Sequence, residues 1–205
     1  MTCNFTRPAL ALALALTLAA CGGKATFPVS GTIEGLQYGG LVLSTNGMDL
    51  PIAANATSFT FPNTLSYGEV YNVTMKASPA HQTCLVGSFT SRITGVTYNG
   101  ATDTAGRFGA INIGVGCTTN QVALGGKITG LTSAGLQLNN GSVPFIAPLA
   151  ADASFTFPTV EFGKSYSITV LAQPLNETCS VSSNGTGVMG DLAPAGIEVT
   201  CVKKT

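Results

Sequence analysis

Side chains able to do chemistry are sparse in this 205-residue chain, and their spacing limits what they can do. The single histidine, His81, follows Ser78-Pro79-Ala80 and reads as an exposed turn residue. Among nine carboxylates, only Asp49 with Glu69, or Asp152 with Glu161, are placed so that they could meet as a general acid and base. These pairs do not recur at matching places in the two halves of the chain. Metal ions need clustered His, Cys or carboxylate ligands, and no such cluster is visible. The six cysteines, at positions 3, 21, 84, 117, 179 and 201, include no Cys-x-x-Cys pair of the redox type. There is no Gly-x-Ser-x-Gly elbow, phosphate loop or dinucleotide fingerprint. The expectation is a protein without catalytic residues, metal or cofactor.

Composition agrees. Nine cations balance nine acids, so nothing directs the chain to nucleic acid. Charged residues are 9% of the chain, against about 25% in ordinary globular domains. Gly, Ser, Thr, Asn and Ala fill the polar positions, yet Val, Ile, Leu and Phe are plentiful enough for a core.

The first twenty residues have the layout of a targeting peptide with a signal helix. Arg7 supplies the cation, and Leu10 to Ala20 form an apolar run of alternating Leu and Ala, interrupted by Thr17. Eleven residues of helix rise about 16 Å, roughly half of a bilayer core. The string Leu18-Ala19-Ala20-Cys21 then resembles the lipobox of bacterial lipoproteins. The resemblance implies cleavage before Cys21 and lipid on its sulfur, with a diacylglyceryl thioether and usually a third chain on the amine. It also implies the cell envelope, and Gly22 after the cysteine favours the outer membrane of a Gram-negative cell. Two or more acyl chains anchor stably where one does not.

The remaining chain is a duplication. Gly31-Thr32-Ile33-Glu34-Gly35-Leu36 matches Gly126-Lys127-Ile128-Thr129-Gly130-Leu131 at an offset of 95. Ser58-Phe59-Thr60-Phe61-Pro62 recurs as Ser154-Phe155-Thr156-Phe157-Pro158, and Thr83-Cys84 as Thr178-Cys179. The last cysteines, Cys117 and Cys201, are offset by 84, so the first copy carries eleven extra residues between its cysteines. Each copy owns two cysteines at corresponding places, which pairs Cys84 with Cys117 and Cys179 with Cys201 in an oxidising compartment. The parsing is 1–20 signal, 21–24 linker, 25–117 first repeat with an inserted loop 92–108, 118–121 linker and 122–205 second repeat.

Periodicity is two. Phe59-Thr60-Phe61 and Tyr71-Asn72-Val73-Thr74-Met75 alternate apolar and polar, as does Tyr166-Ser167-Ile168-Thr169-Val170. Turn signals such as Asn46-Gly47 and Asn140-Gly141 separate the runs. About seven short strands per copy predict two antiparallel β-sandwiches, with Phe59, Phe61, Tyr71 and Val73 in one core and Phe155, Phe157, Tyr166 and Ile168 in the other. In the second copy the strands are expected near 122–129, 135–139, 142–147, 154–158, 165–171, 178–183 and 196–202.

The string Ser-Phe-Thr-Phe-Pro, then Gly-x-x-Tyr-x-[Val/Ile]-Thr, then Thr-Cys and a closing Cys resembles a tandem repeat of secreted bacterial proteins and lipoproteins. Those units are treated as Ig-like or transthyretin-like sandwiches. The resemblance covers both copies and speaks to fold more than activity. The extra segment of the first copy holds Arg92, Tyr98, Asp103, Arg107 and Phe108 around Tyr98-Asn99-Gly100, residue types that make adaptable contacts in binding loops. It is the candidate contact with an envelope protein or glycan. The competing function is an accessory hydrolase or carbohydrate-active protein with a site between the domains, which the scarcity of acid–base pairs disfavours.

Overall fold

The computed structural model describes residues 24–87, 90–91, 94–98, 100–147 and 153–205. Cys21, Arg92 and Asp152 lie outside these. The described residues form an all-β protein. The first copy runs β1 (Thr26–Glu34), β2 (Val42–Thr45), β3 (Met48–Pro51), β4 (Ser58–Ser66), β5 (Val70–Asn72), β6 (Thr74–Ala77), β7 (Gln82–Val86), β8 (Thr102–Thr104) and β9 (Ile111–Thr119). The second runs β10 (Gln121–Thr129), β11 (Gln137–Asn140), β12 (Val143–Ile146), β13 (Ser154–Glu161), β14 (Ser165–Ala172), β15 (Glu177–Val181), β16 (Thr186–Val188) and β17 (Glu198–Lys203).

The sheets repeat strand for strand. One has the order β4-β1-β9-β7 in the first copy and β13-β10-β17-β15 in the second. The other is β12-β11-β14-β16, matched in the first copy by β3-β2-β6 together with the pair β5-β8. The first copy breaks at Val73 the strand that β14 keeps whole; the Val73 amide is donated at 2.9 Å to the Ala101 carbonyl. Register shifts recur too, between Pro28 and Ser30 and between Ala123 and Leu124, and again at Val42/Leu43 and Gln137/Leu138. Such irregularities bend and twist the paired strands.

Three details depart from the sequence reading. First, the sheets are mixed, because β1 pairs parallel with β9 and β10 with β17. Glycine permits this approach. A Cβ at Gly31 would collide with the Ile113 carbonyl and the Phe59 ring, and one at Gly126 with the Ile197 carbonyl and the Phe155 ring. Second, the described residues of the second copy form eight strands where seven were expected. The added β16, Thr-Gly-Val, is exposed throughout, so it carries no alternation to read. Third, only Asn120 lies between β9 and β10, where a four-residue joint over 118–121 was expected.

The alternating positions do form the cores. Phe59, Phe61, Tyr71 and Val73 are buried, as are Phe155, Phe157, Tyr166 and Ile168. Rings of Phe59 and Phe61 meet edge to face at 5.9 Å, and Phe155 with Phe157 does the same. Each such ring contributes roughly 1.5–3 kcal/mol by leaving water. Cys179 and Cys201 are opposed residues on β15 and β17 and form a disulfide with a Cα–Cα distance of 4.0 Å. That spacing belongs to the close, non-hydrogen-bonded type of antiparallel pair. Cys84 and Cys117 are also disulfide-bonded.

The chain divides into two compact units. One holds the described residues up to Ser78 with Cys84–Gly116, the other Pro79–Thr83 with Cys117–Thr205. The segment carrying His81 is therefore part of the second unit.

Candidate functional site

His81 anchors a polar constellation among the described residues of the second unit. Its backbone is left-handed, φ 58°, a conformation uncommon outside glycine that histidine, like asparagine and aspartate, adopts more readily than most residues. This geometry lays the imidazole flat on Phe162, with ring centroids 3.6 Å apart and planes within 6°. Nδ1 meets Asp191 Oδ2 at 2.6 Å. The Asp191 side chain retains 45% of its exposure and that of His81 33%, so the contact stands near the surface.

Asn120 binds this group together with every polar atom it has. Its amide is donated to the His81 carbonyl at 2.9 Å, and its own carbonyl accepts the Phe162 amide at 2.9 Å. Its Nδ2 is donated to Asp191 Oδ1 at 3.4 Å, and its Oδ1 accepts Thr83 Oγ1 at 3.1 Å. Thr118 Oγ1 adds a bond to the Thr83 carbonyl. Chemically the arrangement fixes a ring: one nitrogen is committed to a carboxylate and one face to a phenyl group. That is the behaviour of a clamp on the 79–83 segment. The exposed turn residue expected at His81 is thus half-buried and held. Sequence offered no sign of Asp191 or Phe162 as its partners, since they lie 110 and 81 positions away.

The paired carboxylates proposed for acid–base work are committed separately. Asp49 on β3 forms an exposed ion pair with Lys76 on β6. Lysine and the Ser44 hydrogen bond hold its carboxyl below the usual carboxylate range. Glu69 accepts the Ser66 amide at 2.7 Å in the β4–β5 turn. Glu161 accepts Gln121 Nε2 at 3.4 Å, while its sequence partner Asp152 lies outside the described residues. Among the described residues no group of three or more His, Cys, Asp or Glu could hold a metal ion.

The candidate loop divides in two. Thr102–Thr104 is strand β8, paired with β5, and corresponds to β16 at the offset of 84. The eleven extra residues therefore fall before it, where Thr90 bridges Thr97 and the Ser91 amide is donated to the Val96 carbonyl at 2.8 Å. Tyr98 is half-buried beyond that bridge. Asp103 belongs to the shared scaffold: its Oδ1 accepts the Thr104 amide at 2.7 Å and Arg107 Nη1 at 3.3 Å. It also faces Tyr71 across the β5–β8 pair. Burial, and secondarily the Asp103 charge, push the Tyr71 phenol up. Arg107 and Phe108 are exposed.

One functional-looking group escaped the sequence reading. Glu177 is fully buried and accepts hydrogen bonds from the Thr132 and Ser133 hydroxyls, which hold its carboxyl below the usual range. Ser133 Oγ also accepts the Asn176 amide at 2.9 Å, so the carboxylate ties the β10–β11 loop to β15. The aligned repeats held the signal: Gln82, also buried, occupies the matching place beside Thr83-Cys84.

No protein-family model matches the chain, and no curated protein is significantly similar to it. Residue chemistry and geometry carry the functional reading.

Proposed function

We propose that the protein is a lipid-anchored, non-enzymatic component of a bacterial cell envelope, in which disulfide-stapled sandwiches serve as structural or protein- or glycan-binding modules. The observation that carries this reading is the string Leu18-Ala19-Ala20-Cys21, five residues before the first strand begins at Thr26. Five residue steps reach at most about 18 Å, so the fold follows the acylation motif without a tether.

The test is metabolic labelling of the full chain with an alkyne fatty acid in a Gram-negative host, followed by membrane fractionation. Wild type should carry the label on a processed chain in the outer membrane. Cys21→Ser should lose the label and accumulate as uncut precursor. An unlabelled wild type, or label retained in Cys21→Ser, overturns the anchor.

A further inference from the structure

An aromatic group sits at one end of the first sandwich, and it is the end where the chain enters from Cys21. Thr26 is paired with Ser66, so Tyr67 lies beside the start of β1. Val29 is paired in parallel with Ile111, so Phe108, three residues earlier, approaches the same end. Rings of Phe27 and Tyr67 stand 6.5 Å apart. Both rest on Gly106, at φ 90°, where a Cβ would run into the Tyr67 ring. The loop is braced rather than loose: the Gly68 amide is donated to the Ala105 carbonyl at 2.9 Å, and the Ala105 amide to the Glu69 carbonyl at 2.8 Å. Yet Tyr67 is 75% exposed, Val70 61% and Phe108 47%. A rigid surface that shows large apolar side chains to solvent calls for a partner.

We infer that this end of the first sandwich docks on the phospholipid interface, with Phe27, Tyr67, Val70 and Phe108 in the headgroup layer. The inference rests on the lipid-anchor reading. Six residue steps from Cys21 to Phe27 span at most roughly 22 Å, which keeps the aromatic end near the bilayer surface. Tyr rings suit that layer because their bodies are apolar and their hydroxyls reach water. Charges around the patch balance, two cations against two carboxylates. Lys24 and Arg107 can lie along headgroup phosphates, while Asp103 is paired with Arg107 and Glu69 accepts the Ser66 amide. The end of the candidate loop, Arg107 and Phe108, then has a bilayer as its partner.

The chain contains no tryptophan, so one introduced indole is a unique reporter. Full-length Tyr67→Trp, processed in cells, is reconstituted into phosphatidylethanolamine/phosphatidylglycerol vesicles with and without bromine on the acyl chains. Leu192→Trp, at an exposed site in the second unit, serves as the control. Intact mass reports acylation, and circular dichroism reports folding. The expected result is a blue shift and bromine quenching in Tyr67→Trp, with little change in Leu192→Trp. An acylated, folded Tyr67→Trp chain with no quenching, or equal quenching in the two variants, overturns docking and leaves the anchor standing. A blue shift without bromine quenching means burial against protein and also overturns it. A mass showing no lipid on Cys21 overturns the anchor and the docking with it.

Discussion

His81 and Phe162 stack face to face with centroids 3.6 Å apart, although 81 positions separate them in the chain. The stack and the Asp191 bond hold the 79–83 segment on the second unit. His81→Ala and Phe162→Ala should each lower stability by about 1–2 kcal/mol, the scale of an aromatic pair plus a surface hydrogen bond. Urea denaturation of both single variants and the double variant checks this. Strictly additive losses would show that the rings do not couple.

Cys201→Ser leaves Cys179 without its partner across β15 and β17. The disulfide closes a sequence separation of 22, and its loss should cost about 3 kcal/mol in the chain-entropy model. Thermal unfolding of the variant beside oxidised wild type reads the effect. An unchanged midpoint would mean that the bond contributes nothing.

Glu177 links stability to acid. Its folded pKa is depressed by the Ser133 and Thr132 donors, so its contribution is complete above the unfolded carboxylate range. It is lost as pH falls through the lowered folded value. Glu177→Gln places at this site the residue that its counterpart Gln82 already is, and should fold. Wild type should lose more melting temperature than Glu177→Gln between neutral pH and about pH 3. Parallel losses in both proteins would remove Glu177 as the titrating group.

Gly126→Ala should be strongly destabilising, by more than about 2 kcal/mol, because its methyl must displace the Ile197 carbonyl or the Phe155 ring. Gly39→Ala has open space around it and no positive φ, and should be neutral or slightly stabilising. Equilibrium unfolding of the pair separates close strand approach from a general intolerance of alanine at glycine sites.

The eight alternating core positions needed only period two, since every second side chain of a strand faces the same way. The repeat offset carried more than the periodicity did. It matched the cysteines copy to copy, and the same offsets match β8 with β16 and Gln82 with Glu177. What stayed hidden had no local signature. The exposed Thr-Gly-Val of β16 does not alternate, and the parallel pairing of first and last strands joins segments far apart in the chain.

By itself, then, the sequence determined the β class, the duplication and the core faces, because each is written in composition or in spacing along the chain. Tertiary structure alone decided that His81 faces Asp191 and Phe162, that Asn120 spends all four polar groups on one cluster, and that Tyr67 and Phe108 come to the end of the sheet where β1 begins. Those contacts come from which strands become neighbours. Pairing register and loop geometry set that choice through backbone hydrogen bonds, which every residue but proline can make and which therefore leave little trace in residue type.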